Sequence, residues 1–74
     1  YNKSANIYPN PNSGKFIVKT TDAKSIQILN SIGQVVKIVP VNSDNTPIFI
    51  REKGVYFVQI CSGANTITKK LVVQ

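Results

Sequence analysis

The sequence predicts an all-β domain, a sandwich of about seven short antiparallel strands. Three observations carry that expectation. Apolar and polar residues alternate in short runs, Gly, Pro, Asn and Ser punctuate those runs at roughly ten-residue intervals, and no window shows capped helical spacing of apolar residues. Short strands at that spacing, joined by turns, point to two antiparallel sheets packed in the immunoglobulin style. A small closed barrel satisfies the same pattern and is the alternative architecture.

The elements follow in order. Asn6-Ile7-Tyr8 is a short extended entry that meets Pro9-Asn10-Pro11, where each proline fixes its own φ and keeps the preceding residue extended. Asn12-Ser13-Gly14 makes a turn. Lys15 to Thr20 then alternates, with Phe16, Val18 and Thr20 on one side and Lys15, Ile17 and Lys19 on the other, as a half-buried strand does. In Lys24 to Leu29, Ile26 and Ile28 point inward; Asn30-Ser31-Ile32-Gly33 turns the chain into Gln34 to Val39, and this pair reads as a hairpin. Pro40 and the polar stretch Asn42 to Asn45 end that strand. Pro47-Ile48-Phe49-Ile50 is a short apolar strand whose proline argues for a sheet edge. Gly54 opens Val55 to Cys61, where nearly every residue is apolar, and a central strand buried on both faces is expected. Ser62 to Asn65 returns the chain into the strand Thr66 to Gln74.

With 74 residues the chain has room for one domain, near the lower size at which packing suffices without metal or disulfides. The single cysteine, Cys61, has no partner for an internal bridge, and without histidine the chain lacks the ligand set of a structural zinc site. Within an apolar strand, Cys61 reads as a small packing residue. Nine Lys and Arg against three acids give a net charge of +6. The basic residues are dispersed and only one is Arg, which suits solvated strand faces and guarded edges and argues against a nucleic-acid site. The net charge also favours anionic surfaces such as lipopolysaccharide. No apolar run reaches the roughly 20 residues that span a bilayer, and no start resembles a signal peptide. The beginning at Tyr1 reads as an internal boundary of a longer chain, with any export signal on the N-terminal side.

Catalysis is not expected. Histidine, the commonest general base, is absent, and Asp22, Asp44 and Glu52, the only acids, lie far apart in predicted loops. Asn42, Asp44 and Asn45 offer oxygen ligands but lack the spaced acids of a calcium loop, so a polar turn is the expected role. Tyr1, Tyr8, Phe49 and Tyr56 are candidates for a sugar-binding aromatic platform, although core packing accounts for Phe49 and Tyr56. No cofactor is expected.

The strand at the end of the sequence, Thr66-Ile67-Thr68-Lys69-Lys70-Leu71-Val72-Val73-Gln74, has no polar tail after it, which suggests that this end is packed, read by a partner, or both. A strand presented in this way suits β-augmentation, in which backbone groups supply affinity and alternate side chains supply selectivity.

Four blocks in this order, Tyr8 to Phe16, Ile26 to Val36, Gly54 to Ile60 and Thr68 to Val73, resemble the C-terminal sorting domain of the type IX (Por) secretion system, type A. Each block alone is weak, and their order and spacing make the pattern specific. The resemblance implies an immunoglobulin-like sandwich, here residues 1–74 as a single domain, attached to a larger secreted precursor of a Gram-negative bacterium of the Bacteroidota type. It implies a fused N-terminal cargo domain, the outer-membrane translocon with its shuttle components, and a cell-surface sortase as partners, with the product secreted or held at the cell surface. Apart from the resemblance, the dispersed charge argues against nucleic acid as a partner, and an unprotected edge or terminal strand is open to pairing with a second copy as a homodimer. The implied sorting-signal residues are Pro9, Asn10, Pro11 and Gly14 in the first block, Gly33 in the second, Gly54 and Tyr56 in the third, and Lys70, Leu71, Val72 and Val73 in the last. Pro47 to Lys53 departs from the family's more regular Leu-rich approach to the glycine. A carbohydrate-binding or adhesive sandwich and a plain structural spacer are the competing functions.

Overall fold

A computed structural model describes residues 5–10, 13–21, 23–63 and 65–74. Period-two alternation becomes seven strands: β1 (Ala5–Tyr8), β2 (Lys15–Thr20), β3 (Ser25–Leu29), β4 (Val35–Pro40), β5 (Asn45–Phe49), β6 (Gly54–Ser62) and β7 (Asn65–Val73). They form two antiparallel sheets, one ordered β1-β2-β5 and the other β4-β3-β6-β7. The chain crosses between sheets from β2 to β3, β4 to β5 and β5 to β6, as an immunoglobulin-like sandwich requires. Pro47 sits on the edge strand β5, opposite Ile17, where its missing N–H leaves no gap in the ladder. The irregular approach from Pro47 to Lys53 therefore still delivers Ile48 and Ile50 to the core.

The core lies between the sheets. Phe16, Val18 and Ile48 meet Ile26, Ile28, Tyr56, Val58, Ile60, Leu71 and Val73 there, and among the described residues no buried side-chain nitrogen or oxygen is left unpaired. Asn30 organises the β3–β4 hairpin: its Oδ1 accepts from the Ile32 N–H at 3.1 Å and the Gln34 N–H at 2.9 Å. The Gly33 N–H closes the turn onto the Asn30 carbonyl at 3.0 Å, and Gly33 takes φ 89°, the left-handed position that ends a three-residue hairpin loop.

Two expectations are corrected. β6 is central in its sheet, but only one of its faces is buried. Tyr56, Val58, Ile60 and Ser62 point inward, while Val55 and Phe57 are 38% and 37% exposed on an outer face that no other strand covers among the described residues. An apolar run does not say whether a second layer exists on each side, and this sandwich has only two layers. Phe49 is likewise not a core residue: it lies between inward Ile48 and Ile50, and the pleat turns it outward, 51% exposed. Cys61 is half-buried on the outer face of β6, where the Thr66 hydroxyl lies 4.0 Å from its sulfur, and is not part of the core cluster.

β4 forms the other edge of the larger sheet. Ile38 and Val36 are exposed, and Lys37 reaches across the open side, its Nζ donating to the Phe49 carbonyl of β5 at 3.3 Å. The stretch Asn42 to Asn45 is a polar turn in which the Ser43 hydroxyl donates to the Asn45 carbonyl at 2.8 Å.

Candidate functional site

The blocks singled out in the sequence are placed by different elements. Gly14 follows the first turn and packs against the end of β5: the Ile50 N–H donates to its carbonyl at 2.8 Å, and it adopts φ 120°. A Cβ there would stand 2.6 Å from the Ile50 carbonyl oxygen, so only glycine fits without moving backbone. Tyr56, near the start of β6, is buried and its hydroxyl donates to the Glu52 carbonyl at 2.8 Å. A tyrosine that bonds the backbone a few residues upstream, as a strand enters the sandwich, is the tyrosine corner of Greek-key folds. Gly54 lies beneath this ring, 3.8 Å from Cε2 by the position a Cβ would take. Gly33 stands apart from these at the exposed tip of the hairpin, where an added Cβ would meet nothing within 4 Å.

The last block divides by the pleat. Leu71 (0% exposed) and Val73 point into the core, whereas Lys70 is exposed and Val72 half-buried on the outer face, opposite Phe57 and Val55 of β6 respectively. Lys70 to Val73 therefore alternate between the core and the outer face.

β7 is an edge strand: among the described residues it pairs with β6 alone. Asn10, just past β1 and the cis Tyr8-Pro9 bond, lies against its open side. The Asn10 Nδ2 donates to the Lys70 carbonyl at 3.0 Å, and the Val72 N–H donates to Asn10 Oδ1 at 3.2 Å. The structure thus joins the first and last blocks, about 60 positions apart in sequence, through one side-chain amide. In the sequence Asn10 stands out as an asparagine between two prolines directly after a strand, and nothing local points to its contact with β7. Pro11, Asn12, Tyr1 and Asp22 lie outside the described residues.

Of the aromatic candidates, Tyr8 and Phe49 are both exposed on the outer face of the smaller sheet, where Tyr8, Ile17 and Pro47 share a cross-strand row and Phe49 pairs with Lys15. They line a shallow groove of about 490 Å³ with Pro9. Apart from Lys15, its side chains are apolar or aromatic. Among the described residues, no cluster of three or more His, Cys, Asp or Glu side chains could hold a metal ion.

The fold and the site define a class: a small two-layer sandwich whose most elaborated feature is the edge of one strand, a feature suited to recognition. Residues 6–74 match the family described as the secretion system C-terminal sorting domain. The chain belongs to that family, the sorting domains of type IX secretion, which is not a family of enzymes and whose members mark an attached cargo for export to the cell surface or beyond. Among curated proteins, no sequence matches it.

Proposed function

We propose that residues 1–74 form one sorting domain, carried by a larger secreted precursor. The domain takes a folded N-terminal cargo from the periplasm to the outer-membrane translocon of a Bacteroidota-type cell. A shuttle component receives it, and a surface sortase removes it as the cargo is anchored to lipopolysaccharide. The observation that carries this reading is the family match across residues 6–74. The geometry supports a division of labour within it. Gly14, Gly33, Gly54, Tyr56, Leu71 and Val73 build the sandwich, while Lys70 and Val72 on the β7 edge are what the machinery reads, and Asn10, which lies between Pro9 and Pro11 in sequence, holds that edge.

The test is export of a folded fluorescent reporter carrying an N-terminal secretion signal and residues 1–74, in a host with a working type IX translocon and in the same host without it. Surface or medium fluorescence only with the translocon is the expected result. Retention in both hosts refutes the reading. Deleting the last four residues is a poor test, because it removes Leu71 and Val73 from the core; exchanges of Lys70 and Val72 leave the core in place.

The exposed Tyr8 and Phe49 favour a second reading, an adhesive or carbohydrate-binding face. The groove between them offers few polar groups for sugar hydroxyls, which ranks it behind sorting. Glycan-array binding that disappears in Tyr8→Ala and Phe49→Ala decides for it.

A further inference from the structure

In an antiparallel pair, alternate residues exchange hydrogen bonds with the partner strand, and the residues between them turn their N–H and C=O away. The contacts of Lys70 and Val72 with Asn10 identify the outward set on β7 as Thr66, Thr68, Lys70 and Val72. An unpaired row of this kind is a template for another strand. Within that row, Asn10 donates to the Lys70 carbonyl and accepts from the Val72 N–H. These are the two bonds that one residue of a parallel neighbouring strand, placed opposite Leu71, would make. The amide side chain, chemically a peptide group, stands where a neighbour's backbone would stand.

We propose that Asn10 is a displaceable guard on this edge, and that an extended, acidic strand of a partner protein displaces it and pairs along Thr66 to Val72. The proposal deepens the sorting reading and rests on it for the partner's place in the cell. Displacement is easy, since both bonds are solvent-exposed and belong to one exposed side chain. The partner's charge follows from complementarity: β7 carries Lys69 and Lys70 and no acid, on a chain of net charge +6. A second copy fits less well, because it brings another +6 and two more lysines to the same edge.

The experiment uses the 74-residue chain and three labelled octapeptides: alternating Glu and Val, alternating Lys and Val, and the Glu/Val peptide with central prolines that lack N–H groups. Binding is read by fluorescence anisotropy. Asn10→Ala removes the competitor and is expected to bind the Glu/Val peptide about tenfold more tightly than the parent chain, the scale of two exposed hydrogen bonds. The Lys/Val peptide should bind weakly and the proline peptide not at all. Equal affinity of the parent and Asn10→Ala, or undiminished binding of the proline peptide, overturns the proposal. So does self-association of Asn10→Ala without peptide binding, which would make the occupant a second copy. If Asn10→Ala fails to fold, the side-chain amide NMR signal of Asn10 in the parent decides: it must shift as the Glu/Val peptide saturates, and a stationary signal overturns the guard. The reporter assay on the parent chain reads the sorting role independently, so either idea can fail without the other.

Discussion

Replacing Gly14 with alanine should be the most damaging single-methyl change in this fold. The added Cβ would lie 2.6 Å from the Ile50 carbonyl oxygen, a backbone atom at the end of the edge strand, and the residue would have to hold φ 120°. A non-glycine residue in that region costs about 1–3 kcal/mol. Relieving the clash means moving Ile50 away, which endangers the 2.8 Å bond from its N–H to the Gly14 carbonyl and adds about 1 kcal/mol. The sum is about 2–4 kcal/mol, a large part of the stability expected for a domain of this size, which is of order 4–11 kcal/mol. Far-UV circular dichroism during heating should show the midpoint lowered by about 10–30 °C. Gly33→Ala is the comparison, since Gly33 has φ 89° but nothing near its missing Cβ; it should lose only the conformational part, about 1–2 kcal/mol. If Gly14→Ala unfolds no earlier than Gly33→Ala, the close approach to Ile50 is not what selects glycine and the argument fails.

Three further outcomes are expected. Leu71→Ala, at a fully buried position, should destabilise by about 2–5 kcal/mol in urea titration, and its reporter should reach the surface in smaller amount as the unfolded fraction grows. Tyr56→Phe removes the hydroxyl that donates to the Glu52 carbonyl at 2.8 Å and should cost about 1 kcal/mol while leaving the fold, as judged by NMR, unchanged. Lys70→Glu is a surface exchange that should keep stability within about 0.5 kcal/mol yet reduce translocon-dependent export of the reporter; full export would remove Lys70 from the recognition surface.

Much of the fold was legible because side-chain period two maps directly onto the faces of a strand. Lys15 to Thr20 and Ser25 to Leu29 show that alternation openly, and Phe16, Val18, Ile26 and Ile28 are core residues as their pattern implies. The turn chemistry of Asn30 to Gly33 and the edge position of Pro47 were equally readable, since each rests on a local backbone constraint. β6 and Phe49 were misjudged for the opposite reason. In a continuous apolar run the alternation is hidden, and burial depends on whether another layer covers the second face, which is a property of the assembled sheets. The Asn10 contacts belong to the same class. They depend on bringing β1 and β7 to neighbouring edges of different sheets, and nothing local specifies that.

The three crossings between sheets also govern when the domain comes into being. β2 pairs with β5 and β3 pairs with β6, each across roughly 30 residues of chain, and folds dominated by such distant pairings form in about milliseconds to seconds. Synthesis delivers residues from the N-terminal side at about 5–20 per second, so β3 and its hairpin wait for β6, and Asn10 has nothing to hold until Lys70 and Val72 have appeared. A chain broken off before Lys70 lacks Leu71 and Val73 for the core and both partners of Asn10 at the edge. The topology thus ties the completed domain to the last strand made: the core contributed by Leu71 and Val73 and the contacts of Asn10 all wait for β7.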